Sequence, residues 1–410
     1  MKPFRIISLL LLVMAAAVSS CIYDYNPDLI GEEGYLIIEG DIAIGEVSTF
    51  SVRRSAHLDT WSTDGVFLSQ LRVEANDGTV YMGSGFAGNM QVDLREADPS
   101  LQYRLVVEAM LPSAAEGANQ ELRRYVSSWS ELVGVPSIDS LSFAINGEGT
   151  EISVRVSTHS AESCGYYRWT ASETWEYRSD CYANYFYLPA GSSYKGTVLQ
   201  EDSILPYEDG ENLYYCWISA PRSQIMTGTT ESLTEDRLVN HQLYTLAKSD
   251  WRISYVYSVD VRQTRITEEA YRYWQALMRN TTDVGGLFSP EPSELRGNIV
   301  NEADGNELVL GYVSVVKPVT ERLFIDDRIN RFYKDPSWTL LPEVVVPEKN
   351  EWNNLYKQGF VPTTMCDPED PEHYVPGVDD KWNWRPVRCV DCRFKGGTKN
   401  KPEWWPTPEI

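Results

Sequence analysis

The sequence predicts a mainly β protein. An N-terminal antiparallel sandwich, Ig-like or transthyretin-like, is followed by a larger β-rich domain with one clear helix and an irregular, disulfide-stapled tail. Three observations lead there. Short runs of alternating apolar and polar residues, separated by turn residues, occupy most of residues 35–315. A single stretch, 268–278, has helical period. Beyond Pro342 regular periodicity stops, while Cys, Pro and Trp accumulate.

The chain opens with Lys2 and Arg5, then an apolar run at 6–18 interrupted by Ser8, then Ser19-Ser20-Cys21. The run is too short to span a bilayer, which takes about 20 apolar residues, and has the length of a secretory core. Val18-Ser19-Ser20-Cys21 has the form of a bacterial lipobox, so residues 1–20 are expected to be a lipoprotein signal peptide and Cys21 the lipidated N-terminus. Position 22 is Ile, not Asp, so retention at an inner membrane is not signalled. Residues 21–34 are expected to form a lipidated tether, which contains the polar, turn-rich stretch DYNPDLIGEE at 24–33.

Residues 35–134 form the predicted N-terminal sandwich, with strands expected at 35–42, 49–55, 71–75, 79–82, 90–94, 103–109 and 125–133. Asn76-Asp77-Gly78 is a hairpin turn, since these residues tolerate positive φ. Pro136 marks the linker into the second region, 135–410, because it cannot donate to a strand ladder. Strands are expected there at 141–145, 152–157, 166–170, 214–219, 253–262 and 308–315. The helix starts after Thr267, a good N-cap, with Glu268 and Glu269 at the positive end of the dipole. Ala270, Trp274, Leu277 and Met278 make its apolar stripe, and Asn280 is read as its stop.

Composition narrows function by exclusion. There are 59 Asp+Glu against 36 Lys+Arg, a net charge of −23, and no basic stripe. Nucleic acid is therefore excluded as a partner, because phosphate binding takes clustered cations. The chain has only 4 His, no G-x-S-x-G elbow, no H-E-x-x-H and no glycine-rich phosphate loop between strand and helix. No catalytic residue, cofactor or metal is expected. Asp326-Asp327 and Asp379-Asp380 read as solvated loop charge. Aromatics make up 12% of the residues, with 25 Tyr and 13 Trp, against 42% hydrophobic overall. Tyr crowding in the second region reads as sheet-face filling. Trp382, Trp384, Trp404 and Trp405 are a candidate binding surface, with core or interdomain packing favoured for most of them.

An even six Cys remain beside Cys21, which in an exported chain favours disulfides. Sequence proximity pairs Cys164 with Cys181, and Cys366 with Cys389 or Cys392, leaving Cys216 for the remaining sulfur. Cys389-Val390-Asp391-Cys392 could also be half of a zinc site with Cys366 and His373, or a redox motif. The glycines that follow at 396 and 397 argue against the helix a redox motif needs.

Taken in order, several short motifs resemble those of a Bacteroidota lipoprotein family, domain of unknown function 4249. They are Leu36-Ile37-Ile38-Glu39-Gly40, Pro136-Ser137-Ile138-Asp139-Ser140, Tyr166-Tyr167-Arg168-Trp169, Cys216-Trp217 and Leu233-Thr234-Glu235-Asp236-Arg237. Further on come Thr267-Glu268-Glu269-Ala270-Tyr271-Arg272-Tyr273-Trp274, Gly285-Gly286-Leu287-Phe288-Ser289, Gly297-Asn298-Ile299 and Leu310-Gly311-Tyr312. Cys389-Val390-Asp391-Cys392-Arg393, Gly396-Gly397-Thr398 and Lys401-Pro402 close the series. The resemblance covers nearly the whole mature chain. It implies a non-enzymatic outer-membrane lipoprotein, held by its N-terminal lipid on the periplasmic or surface face. It also implies an accessory or binding role beside a TonB-dependent nutrient transporter, with an unknown small-molecule, peptide or glycan ligand. A surface adhesin or structural envelope module is the alternative. Cys164 and Cys181 stand outside the family's usual pattern, which supports pairing them with each other.

Overall fold

Alternation sets the first sandwich. A computed structural model describes residues 34–55, 66–111, 120–161, 164–208, 211, 213–282, 295–331, 343–366 and 380–406. The expected signal peptide, Cys21 and nearly all of the tether lie outside the described residues. Seven strands come first: β1 Leu36–Glu39, β2 Val47–Arg54, β3 Phe67–Ala75, β4 Val80–Phe86, β5 Asn89–Asp93, β6 Tyr103–Leu111 and β7 Glu121–Ser127. In β3, Leu71, Val73 and Ala75 point inward and are buried. Arg72 and Glu74 point outward into a cross-strand charge ladder, Arg72 to Glu74 at 2.8 Å and to Glu108 at 3.0 Å, Arg104 to Glu74 at 2.7 Å. The predicted turn joins β3 to β4, with Gly78 at φ +92.

β4 belongs to both layers. Its first residues pair with β3, and Gly83–Phe86 pair with β5. The change of partner falls at Gly83, where a Cβ would meet the Leu71 carbonyl oxygen at 2.8 Å. A larger residue would push the layers apart. The sheet thus wraps around one interior of Phe50, Val52, Leu71, Val73, Val92 and Leu105 among others.

The second sandwich uses β8 Ser140–Ile145, β9 Glu151–His159, β10 Tyr166–Arg178, β11 Tyr215–Pro221, β12 Met226–Thr229, β13 Arg237–Ala247 and β14 Val256–Ile266. One layer is β8-β9-β13. In the other, β10 lies between β14 and the successive strands β11 and β12. After β14 comes α1, Glu268–Thr282, whose Ala270 N–H donates to Thr267 Oγ1 at 3.2 Å. The helix runs through Asn280 to Thr282. Then follow β15 Ile299–Asn301 and β16 Val309–Leu310, before β17 Val319–Asp326 returns to pair with β14.

β15 and β16 join the first sandwich. β15 lies antiparallel to β7, with Val300 opposite Val126, and β16 lies parallel to β1, with Leu36 opposite Val309. The full order is β15-β7-β6-β3-β4-β5-β2-β1-β16. Val315–Val316 also pairs with Ile42–Ala43 in parallel.

Several elements differ from the pattern-based expectation. β13 was not expected. Two register shifts against β9, with Asn240 at φ +51, break its alternation, so that Leu238 and Leu243 both face inward. β10 runs on to Arg178, past the expected end at Thr170, and Glu173 there takes a buried inward position where alternation calls for an apolar residue, with Glu176 buried on the opposite face. The tail is less irregular than its composition suggests. It holds a short helix, Trp352–Lys357, and an antiparallel pair, Phe360–Met365 with Trp382–Pro386. Among the described residues no helix is long and apolar enough to cross a membrane.

Candidate functional site

The tail pair packs against a hairpin, Tyr185–Leu188 with Ser203–Pro206, which rises from the β10–β11 connection. Trp382 and Trp384 are two apart on one strand, so both face the same way. That face is covered. Trp384 is 0% exposed, and Trp382, Trp352 and Tyr187 are also buried, forming one apolar cluster. Ring centroids lie 5.5 Å apart for Tyr187–Trp384, 6.3 Å for Trp352–Trp384 and 4.5 Å for Tyr185–Trp382. Val345 and Trp384 exchange backbone hydrogen bonds at 3.0 and 2.7 Å. Trp352 and Trp384 bury their indole N–H groups without an acceptor among the described residues.

Trp405 is buried as well, against Phe324 of β17. Trp382, Trp384 and Trp405 are therefore core, the packing favoured for most of the four, and not a binding surface. The hairpin and the helix cover Trp382 and Trp384, and β17 covers Trp405. Trp404 alone stays on the surface, 40% exposed, under the Arg322 guanidinium at 3.4 Å. Arg322 is held by a two-point ion pair to Asp260, at 2.5 and 2.7 Å.

The cysteines are sorted by strand geometry. Cys216 and Cys392 form a disulfide across a sequence separation of 176, with Cα atoms 5.7 Å apart. It ties β11 to the tail, next to a two-way backbone bridge between Trp217 and Thr398. Gly397 is required there, because a Cβ would come within 2.6 Å of Cys216 Cβ. The expected Cys164–Cys181 bond is not formed. All of β10 lies between them, and at about 3.3 Å per residue that extended strand spans about 40 Å. The Cys366–Cys389 alternative also fails, because the two lie at opposite ends of the tail pair. Cys366 sits at the Lys381 end of the tail pair, with its N–H on the Lys381 carbonyl, whereas Cys389 follows Pro386 at the other end. With Cys392 bonded to Cys216, Cys389 and Cys392 do not pair with each other as a redox motif would.

Buried charge concentrates in the second sandwich. Glu173 receives Arg222 and Arg252, each at 2.6 Å, and the Tyr257 hydroxyl at 2.5 Å. Asp236, 0% exposed on its side chain, accepts from Tyr167 at 2.8 Å and Thr230 at 2.7 Å, and faces Arg265 at 3.2 Å. Burial pushes the Tyr244 and Tyr257 hydroxyls far above the ordinary phenol range. Asp326 is paired with Arg328 at 2.6 Å. Each of these carboxylates is answered by guanidinium, which suits a structural network. Missed in the sequence, these pairs leave one signal: Glu173 and Glu176 lie within a strand between Tyr and Trp.

Two surface clefts lie among the described residues. One, of about 640 Å³, lies between α1 and the segment around Asn298, lined by Arg272, Tyr273 and Tyr312. The other, of about 770 Å³, lies at the β7–β15 seam. Charges along it pair with one another, Arg124 with Glu302 at 2.9 Å and Arg123 with Glu307 at 3.4 Å. Among the described residues, no three His, Cys, Asp or Glu side chains converge as metal ligands.

Residues 22–322 match the family model described as Domain of unknown function (DUF4249). The chain belongs to this family. Its DUF4249 region takes in both sandwiches and ends within β17, so the aromatic tail lies beyond it. A segment of two fibronectin type-III domains from chicken tenascin is similar at 13% identity, covering 55% of this chain and 88% of that one, with a TM-score of 0.16. Among curated proteins none matches this DUF4249 chain.

Proposed function

We propose that this protein is a non-enzymatic outer-membrane lipoprotein, anchored through Cys21, that serves as an accessory or binding partner of a TonB-dependent nutrient transporter. The observation that carries the reading is the polarity of the first sandwich. β1 leaves the tether at Leu36, and the register sets Arg54 opposite Leu36, Phe67 opposite Met110 and Leu111 opposite Glu121. The β4–β5 turn reaches the same end, where Val52 N–H donates to Gly88 O at 2.8 Å. Four apolar side chains stand exposed there: Phe86 at 88%, Phe67 at 69%, Leu122 at 56% and Tyr35 at 52%. β7 then runs to the opposite end, and the chain passes from Ser127 into the second sandwich.

A lipid on Cys21 would turn the apolar end toward the bilayer, where aromatic side chains are favoured at the interface. The second sandwich and the tail would face away, open to a partner. A multiply acylated Cys supplies stable attachment at about 0.8 kcal/mol per buried CH₂. The test is capture of the native protein from detergent-solubilised outer membranes. Co-purification of a TonB-dependent transporter, with an acylated Cys21 by intact mass, is the expected result. An unacylated protein, or recovery with no transporter, would overturn the reading.

A further inference from the structure

We infer that Cys181 and Cys389 are the site of a second disulfide, which pins the tail to the second sandwich beside the Cys216–Cys392 bond. The Cys181 N–H donates to the Cys389 carbonyl at 2.8 Å. With standard backbone bond lengths, one such hydrogen bond sets the two Cα atoms about 5–6 Å apart. Disulfides form across roughly 4.4–6.8 Å. A second contact keeps the two segments in place, since Ser179 Oγ donates to the Val390 carbonyl at 2.8 Å. Both thiols are buried, at 9% and 7% exposure, and both belong to one small apolar cluster with Ala183 and Val390. Burial pushes the Cys181 thiol up; Arg385 pulls it back, and neighbouring Cys389 adds to the rise.

The bond would change the topology of the tail. Cys181 and Cys216 are the two feet of the connection that carries the Tyr185–Leu188 hairpin. With both bonds in place, both feet are fastened to the one turn Cys389-Val390-Asp391-Cys392. The hairpin, Trp352, Trp382 and Trp384 then form a cross-linked block, unable to peel away from β10 and β11.

The chemistry is thiol–disulfide exchange with an external protein disulfide as oxidant. One cysteine, as thiolate, attacks a sulfur of that disulfide and releases one of its thiolates. The other cysteine attacks the resulting mixed disulfide and releases the second. The pair loses two protons and two electrons, and the oxidant leaves as a dithiol. Formation rests on the export reading above, because it takes an oxidising compartment. The Cys216–Cys392 bond is the internal reference for that condition.

The test uses full-length protein purified from the cell envelope. Thiols are blocked with N-ethylmaleimide in denaturant without reductant, and the digest is mapped by mass spectrometry. The expected result is a Cys181 peptide joined to a Cys389 peptide, about 2 Da below the two thiol peptides together, with neither sulfur alkylated. In the Cys181→Ser variant, Cys389 should become alkylated while Cys216–Cys392 persists. Alkylation of Cys181 or Cys389 in the native chain, or bonding of either to another cysteine, with Cys216–Cys392 intact, would overturn the second bond alone. Alkylation of all four sulfurs would overturn it together with the export reading.

Discussion

The interior of the first sandwich is largely aliphatic, and its buried Tyr hydroxyls find partners near the rim. Tyr103 donates to the Asp98 carbonyl at 2.7 Å and Tyr125 to Glu307 at 2.8 Å. The second sandwich adds Tyr167, Trp169, Trp175, Tyr244 and Tyr257 to its aliphatic side chains, and the polar atoms of these rings end inside it. Tyr167 donates to Asp236, Trp169 to Gln263 at 2.6 Å, and Tyr257 to Glu173. An unpaired buried donor costs about 1–3 kcal/mol, and each of these three rings has an acceptor, whereas the Trp175 indole N–H is buried with none among the described residues. Where that acceptor is a carboxylate, burial in turn recruits guanidinium, here Arg265, Arg222 and Arg252. A core built from Tyr and Trp thus brings internal ion pairs with it, and a core built from Val and Leu does not.

That contrast is most directly broken at Asp236. Replacing it with Ala leaves Arg265 buried without its carboxylate and Tyr167 without its acceptor. The expected loss is about 3–5 kcal/mol, read by denaturant unfolding. A loss below about 1 kcal/mol would mean that the ion pair is an ornament of the core. Trp384→Ala should cost about 3–5 kcal/mol as a buried ring is removed. Trp404→Ala, which gives up an exposed cation–π contact, should cost about 0.5–1 kcal/mol. Comparable losses would erase the distinction between tail core and tail surface.

A smaller effect concerns pH. His241 stacks on Trp169 with centroids 5.1 Å apart, and burial holds its imidazole below the usual range. Below about pH 6.5 the unfolded chain takes up a proton that the folded one refuses. Stability is therefore full above that pH and falls as pH drops toward the folded value, by at most about 1.4 kcal/mol per unit. His241→Phe keeps a stacked ring and should flatten the change between pH 7.5 and pH 5.5.

The same contrast explains what could be read in advance. Leu71, Val73 and Ala75, with the Asn76-Asp77-Gly78 turn, announce the first sandwich because every inward position is apolar. β10 was legible only as far as Thr170, since Glu173 then takes an inward position and Glu176 is buried on the other face. Cys164 and Cys181 are near in sequence, but the full length of β10 holds them apart. Trp382 and Trp384, two apart, already indicate one face of a strand. What they cannot indicate is that a hairpin some two hundred residues earlier would cover that face. Cys21 and its lipobox are legible as sequence and lie outside the described residues.

The late arrival of β15 and β16 sets an order of assembly. The first sandwich is synthesised first but cannot be finished first. Its sheet ends at β7 and β1, and both edges wait for strands that follow α1. At about 5–20 residues per second, the stretch from Ser127 to Leu310 takes about 10–40 s to make. Throughout that interval two open edges are available to any other strand. A nascent chain of this protein therefore has a period of exposure fixed by its topology, and whatever receives it must keep those edges apart until residue 310 has emerged.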